Sequence, residues 1–297
     1  MKLREHQSQN QQLRRLALRE MSLLEHTLCG AGRILMLADA TGVILDSQGD
    51  NTFLGRARTV ALMPGATWAE QMTGTNAIGT AIIEHRFLQV TGRQHFFDEN
   101  CFLSCQAMPI MSPSGGLAGV LNLSGDVHIS LHSAGRLVRQ AVAHIEHSWV
   151  EETATDIIVR LHQHPAWLGT PEEGVLTFHD GLLTGANTHA LVYLGLAPLA
   201  IHSARWEEIF QQRPQLGRRE LHRLHHSGLF YAEISRAFAA GARIAATEVA
   251  HVGPESLADL RDEALRRAVS AENGNLSAAA RRLGIHRSTL YRRLGKQ

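Results

Sequence analysis

The last residues of the chain, 275–297, read NLSAAARRLGIHRSTLYRRLGKQ, and this stretch admits few folds. Residues 276–283 have helical character, and the small side chains of Ala278, Ala279 and Ala280 let another helix approach closely. Gly284 ends that helix with a positive φ, and Ile285 plugs the turn into a core. His286 or Ser288 then caps a helix over 287–294. On it Leu290 and Leu294 stand four apart and face inward, which leaves Arg287, Ser288, Thr289, Tyr291, Arg292 and Arg293 facing out. Residues 257–269 supply a preceding amphipathic helix through Leu257, Leu260, Ala264, Leu265, Ala268 and Val269, with Glu255 and Asp259 near its start behind Pro254.

From Asn273 onward there is no Asp or Glu, but there are Arg281, Arg282, Arg287, Arg292, Arg293 and Lys296. The whole chain carries a net charge of only +1, so this is a local basic end on a nearly neutral protein, and it suits a polyanion. The geometry is that of a helix-turn-helix with an exposed basic face. Arginine can fork onto guanine O6 and N7, and Ser or Thr can bond base edges or phosphates. The plainer alternative is a three-helix packing unit with a solvated basic face. It would not require small stripe, turn glycine, plug and basic helix at these offsets together.

Residues 257–297 resemble the Fis-type DNA-binding domain that closes many bacterial transcription regulators, through N-L-S-A-A-A-R-R-L-G-I-H-R-S-T-L-Y-R-R-L. The resemblance implies that the helix from Arg287 enters the major groove and that the protein is a dimer. The expected DNA contacts are Ser277, His286, Arg287, Ser288, Thr289, Tyr291, Arg292 and Arg293.

Hydrophobic content of 44% with 19% charged residues describes a globular protein over a length that suits two or three domains. Three cysteines, Cys29, Cys101 and Cys105, argue against a disulfide framework and fit a reducing compartment. No apolar signal region and no run of ~18 apolar residues occurs, so no membrane span is expected, and the expected location is the cytoplasm, at the nucleoid.

Residues 9–28 predict a helix with Leu13, Leu16, Ala17, Met21, Leu24 and Leu28 along one side, packing either on its own domain or on a second copy. Strands are expected over 34–37 and 43–45 around the turn Asp39-Ala40-Thr41-Gly42, then over 87–91, 104–111 and 119–123. Thr75 or Asn76 caps a helix in which Ile78, Ala81, Ile82 and His85 share a face. This is a mixed α+β domain with an antiparallel sheet. GTNAIGT within it lacks the spacing of a phosphate loop. What it resembles, together with Trp68, V-T-G at 90–92, His95-Phe96, C-Q-A-M-P-I at 105–110 and G-V-L-N-L-S-G at 119–125, is the GAF sensor domain of the bacterial acetoin/glycerol-catabolism activators. The resemblance implies a pocket for a small metabolite. Trp68, Asn76, His95 and Cys105 are its candidate lining, each weighed against a plain fold role: packed ring, helix cap, satisfied polar group, buried thiol. Cys101 and Cys105 stand as C-x-x-x-C without a basic neighbour, a weak redox signature.

Residues 131–162 read as one long helix on the stripe Leu137, Val138, Ala141, Ile145, Trp149, Ile157, Ile158 and Leu161, either connecting two domains and pairing in a dimer or packed on one domain. Beyond Pro165, a strand at 175–178, the turn His179-Asp180-Gly181, its return at 182–183, a helix from Asn187 to the stop at Gly195, a short helix at 206–210 and a hairpin over 219–235 make a further α+β unit. The run DGLLTGANTHALVYLGL followed by WEEIF resembles a PAS domain. The 18 histidines include His144 and His147 at i,i+3 and a group at 222, 225 and 226, but no acid or cysteine completes a metal set, and no metal or cofactor is expected.

Larger members of the resembled family carry an ATPase motor that activates promoters of the sigma-54 factor. Here no Walker A loop occurs: Gly295-Lys296 has Leu290, not glycine, five residues before it. The reading is therefore an α+β multidomain chain: N-terminal helix 1–29, GAF-like sensor 30–130, connecting helix 131–164, PAS-like unit 165–250 and all-α Fis-type helix-turn-helix 255–297. Its expected work is ligand-responsive, sequence-specific regulation of a bacterial catabolic operon, as a homodimer on double-stranded DNA, without ATPase or other enzymatic activity. Contact with RNA polymerase is one way it would act. The alternatives are an architectural Fis-like protein, an enzyme built on the GAF scaffold with Cys105 and His95, for which the sequence lacks a compact nucleophile–base signature, and an antagonist in mixed dimers with a motor-bearing relative.

Overall fold

A computed structural model describes residues 3–28, 32–129, 134–224 and 228–237, so the expected helix-turn-helix lies outside the described residues. In chain order the elements are α1 (Leu3–Gln9), α2 (Gln11–Thr27), β1 (Arg33–Asp39), β2 (Ile44–Gly49), α3 (Asn51–Thr59), α4 (Glu70–Thr73), α5 (Ala77–Glu84), β3 (Leu88–Thr91), β4 (Leu103–Met111), β5 (Leu117–Asp126) and α6 (Ala134–Thr153). A second lobe follows: β6 (Ile157–His162), β7 (Gly174–His179), β8 (Leu182–Ala186), α7 (Thr188–Leu194), α8 (Trp206–Ile209), β9 (Gly217–His222) and β10 (Leu229–Arg236).

The first sheet is antiparallel with order β2-β1-β5-β4-β3. Alternation along its strands sends side chains to two cores, because both faces are covered. Leu35, Leu37, Leu121 and Leu123 meet Leu13, Leu16, Met21 and Leu24 of α2 and Val138, Ala141, Val142 and Ile145 of α6. On the opposite face Met36, Ala38, Val120, Cys105 and Ala107 meet Phe53 of α3, Trp68, and Ala77, Ile78 and Ala81 of α5. Each fully buried aliphatic or aromatic side chain contributes about 1.5–3 kcal/mol, so this lobe is held from both sides. The β1–β2 turn forms as its residues predict: Asp39 Oδ1 accepts the N–H of Thr41 at 2.9 Å and of Val43 at 3.1 Å, and Gly42 takes φ 86°. The N-terminal helix packs on its own sheet, and Asn10 divides it into α1 and α2.

The long helix expected over 131–162 is corrected: it ends at Thr153, and Ile157–His162 is the central strand of a second antiparallel sheet, order β8-β7-β6-β10-β9. The physical reason is burial on both sides. Val159 and Leu161 enter the core beneath α7 and α8, with Phe178, Trp206 and Phe230, while Ile158 turns the other way onto Val150 of α6 and Val175. A short run buried on both faces shows no alternation and imitates a helical stripe. The unit that was expected to begin at 165 therefore includes 157–162. Further on, Asn187 caps α7 by accepting the Ala190 N–H at 2.9 Å, and Gly195 ends it at φ 53°.

The two sheets meet across α6. Glu146 is 3% exposed. Its Oε1 accepts the N–H of Met111, at the end of β4, at 2.8 Å, and its Oε2 accepts the N–H of Thr188, at the start of α7, at 3.0 Å. Next to it His147 Nε2 lies 2.7 Å from Oε1 of the fully buried Glu173, whose Oε2 accepts the Gly169 N–H at 2.6 Å. Arg160 Nε donates to Glu151 at 2.7 Å. The turn between β4 and β5 completes the junction, with the Pro113 carbonyl accepting the Ala186 N–H at 3.1 Å.

Burial pushes the Glu146 carboxyl above its ordinary 4.5, against hydrogen bonds from Met111 and Thr188 that favour the charged form. Between 4.5 and the raised value the folded chain holds a proton that the unfolded chain has released, so this group adds stability as pH falls through that window and adds no more below 4.5. Denaturant titrations of the full chain should show Glu146→Ala losing roughly 2–5 kcal/mol, since two partly buried N–H groups lose their acceptor. Glu146→Gln should lose less and should lack the pH-dependent gain.

Candidate functional site

Three of the four candidate pocket residues come together on the α5 side of the first sheet. Trp68, Asn76 and Cys105 converge with Leu62, Ala77, Ile78 and Asn122 around a void too small for a water molecule. His95 does not line it.

Trp68 is buried; its indole N–H donates to the Ala61 carbonyl at 3.0 Å, and its backbone N–H donates to Gly42 O at 2.7 Å. Asn76 is the cap of α5, accepting the Gly79 N–H on Oδ1 at 2.8 Å. Its Nδ2 reaches the carbonyls of Trp68 at 3.0 Å and Gly74 at 2.9 Å, and Thr73 Oγ1 at 3.0 Å. Both side-chain polar atoms of Asn76 are thus engaged within the fold, and they tie α4, α5 and the Trp68 loop together. The GTNAIGT run follows from this packing. A Cβ at Gly79 would stand 2.5 Å from Glu70 N and 2.7 Å from Trp68 O, and Gly74 takes φ 60°.

Cys105 Sγ lies 3.1 Å from Ser124 Oγ, and burial pushes its thiol up to about 12. Such a thiol stays protonated at neutral pH and is a poor nucleophile. His95 has Nδ1 at 2.9 Å from the Gly92 carbonyl, its proton affinity is lowered by burial, and its Nε2 has no hydrogen-bond partner among the described residues. No hydrogen bond joins His95 to Cys105 among the described residues, so a nucleophile–base pair is not assembled there. Cys101 and Cys105 are both free thiols. His144 and His147 face carboxylates, Glu20 at 3.8 Å and Glu173 at 2.7 Å.

Two polar residues of this face were not singled out from the sequence. Asn122 Nδ2 donates to Ser124 Oγ at 2.8 Å, so Asn122, Ser124 and Cys105 form one buried polar chain inside an apolar core. The signal was available in V-L-N-L-S: positions 120, 122 and 124 share a face, and polar residues alternate into a side that the apolar pattern marks as buried. Ser277, His286, Arg287, Ser288, Thr289, Tyr291, Arg292 and Arg293 lie outside the described residues.

With this geometry in view, comparison with known proteins is informative. Residues 13–146 match the family described as MimR, N-terminal domain, and residues 256–296 match Bacterial regulatory protein, Fis family. The acetoin catabolism regulatory protein of Cupriavidus necator is 30% identical over 223 residues, 71% of this chain and 33% of that protein. The acetoin dehydrogenase operon transcriptional activator AcoR of Bacillus subtilis is 36% identical over 89 residues, 30% of this chain and 15% of that protein. The Escherichia coli DhaR(N)–DhaL complex aligns over 78% of this chain and 88% of that chain, with TM-score 0.49 and 15% identity. The chain spans about a third or less of the length of these curated relatives. Between the last described strand and the Fis-family match stand only residues 237–255, too short a segment for an intervening ATPase domain.

The thiol geometry has a direct chemical consequence. Alkylation of the native chain with iodoacetamide at pH 8, read by peptide mass spectrometry, should label the partly exposed Cys101 and spare Cys105 until the protein is unfolded.

Proposed function

We propose that this chain, a relative of the acetoin-catabolism and MimR-type regulators that joins a MimR N-terminal domain to a Fis-family C-terminal region, is a ligand-responsive, sequence-specific transcription regulator of a bacterial catabolic operon. It works in the cytoplasm on double-stranded DNA. The observation that carries the reading is the Fis-family match over 256–296, which contains the acid-free basic stretch. Arg287, Ser288, Thr289, Tyr291, Arg292 and Arg293, with Ser277 and His286, make the contacts. One recognition helix reads few base pairs, and each good bidentate contact discriminates by only ~1–3 kcal/mol. A homodimer on two half-sites about 34 Å apart supplies the remaining specificity.

The effector site lies beneath α5, where the buried polar chain of Asn122, Ser124 and Cys105 meets Trp68. A ligand there presses on β4 and β5. Those strands end in the turn that bonds Ala186 through Pro113, and β4 ends at Met111, which is held by Glu146. Ligand binding thus shifts the second lobe about α6 and changes the spacing of the two reading heads, in proportion to its differential affinity for the two arrangements. The greater length of the relatives favours a second reading, an antagonist that pairs with a motor-bearing chain.

Genome-wide capture of DNA fragments by the full-length protein at near-physiological salt should return a few discrete sites with a two-fold motif. Diffuse binding would instead support an architectural role. In binding titrations Arg287→Ala should relax base preference, whereas Arg293→Ala should weaken all sequences alike and lower the salt slope by about 1.

A further inference from the structure

Within the void beneath α5, most polar atoms are already spoken for. Asn76 is saturated by its cap and loop bonds, and the Trp68 N–H is held by Ala61. Cys105 and Ser124 bond each other. Asn122 is different. It is 1% exposed, lines the void, gives its Nδ2 to Ser124, and has no hydrogen-bond partner on Oδ1 among the described residues. A buried carbonyl left unpaired costs about 1–3 kcal/mol, and a site with no room for water offers it no substitute. No ionisable carboxylate, amine or guanidinium lines this void, so the free acceptor is its one uncommitted strong polar feature.

We propose that Asn122 is the specificity-determining residue of the effector site, its Oδ1 accepting a hydrogen bond from a hydroxyl or N–H of the bound molecule. The inference rests on the pocket reading given above and adds to it the group that reads the ligand. The cover over the void is the Trp68 loop with Leu62, Ala77 and Ile78, and it must move outward for a molecule to enter. The molecule then supplies the partner that Oδ1 lacks in the closed form. Discrimination follows from chemistry: an analogue of equal shape without a donor leaves the carbonyl buried and unpaired, and a site built around a hydrogen bond rejects such analogues more strongly than it rejects small changes in size.

The test uses the full chain and a shape-matched probe pair, cyclopentanol and cyclopentanone, with cyclopentane as the apolar control. Melting temperature is followed against probe concentration, together with the side-chain amide resonances of Asn122. Cyclopentanol should bind saturably and about 10-fold more tightly than cyclopentanone, with a shift of the Asn122 amide. In Asn122→Leu, which keeps the branching of the side chain and removes its polar atoms, the preference should collapse to within about 2-fold. Where that variant fails to fold, the amide shift in the unaltered protein decides the matter alone. A preference for the alcohol that survives in Asn122→Leu, or binding without an amide shift, would overturn the role of Asn122 and leave the pocket standing. Absence of saturable binding by all three probes would remove the pocket itself, and this inference with it.

Discussion

The carboxylate of Glu146 joins what would otherwise be two separate sheets. It lies on α6, which packs against both lobes, and it takes an N–H from the last residue of β4 and another from the first residue of α7. Thr188 opens α7, where a helix start leaves backbone donors over, and Met111 closes β4. Burying a carboxylate is costly, and burial does raise the affinity of Glu146 for a proton. The group is tolerated because two backbone donors converge on it. Remove it and each lobe keeps its own core, but the polar seam between them has an orphaned donor on either side.

The first lobe shows why such a seam is needed. Its sheet is covered on both faces, by α2 and α6 on one and by α3, α5 and Trp68 on the other. A sheet enclosed this way has little exposed apolar surface to offer a neighbour, and the second lobe is attached through polar contacts at the end of β4–β5 and along α6, beside the apolar contact of Val150 with Ile158 and Val175. Side-chain ladders such as His147–Glu173 and Arg160–Glu151 extend the attachment along the same helix. The strands that carry Cys105 and Asn122 are the strands whose turn touches the second lobe through Pro113.

Much of this was legible in the residues. Turn chemistry at Asp39–Gly42, the caps at Asn76 and Asn187, and the stop at Gly195 all follow from local physics: short polar side chains bond nearby backbone, and glycine takes positive φ. The strands over 103–111 and 117–126 follow from composition and the intervening Pro-Ser-Gly-Gly turn. What was misread was misread for a physical reason. Ile158 and Val159 are buried on opposite faces of the strand and Ile157 is half-buried beside them, so the period-2 signal is absent and the residues read as a continuation of α6. α3 was missed because a short helix with Gly55 in it and two core residues, Phe53 and Ala57, has almost no stripe. In the site, Trp68, Asn76, His95 and Cys105 are the conspicuous residues of the resembled motifs. His95 proved to be turned elsewhere, while Asn122 and Ser124, ordinary strand residues by type, hold the buried polar chain.

The absence of room for a motor domain between residue 237 and residue 256 bears on how strongly the proposed effector can act. A nucleotide-driven machine can amplify a weak signal by consuming ATP. On the proposed reading, a sensor and a reading head with no motor domain between them work at equilibrium, where a ligand would shift DNA binding by no more than its differential affinity for the two arrangements. A tenfold change in occupancy requires about 1.4 kcal/mol. The bonds at the α6 junction are of that order, each contributing about 0.5–1.5 kcal/mol net and costing about 1–3 kcal/mol when a buried partner is stranded. On the proposed reading, breaking or remaking one of them would match the energy that such a response needs. On these magnitudes the directional bonds of the junction, two backbone donors on one carboxylate among them, suit the equilibrium switch proposed for this chain.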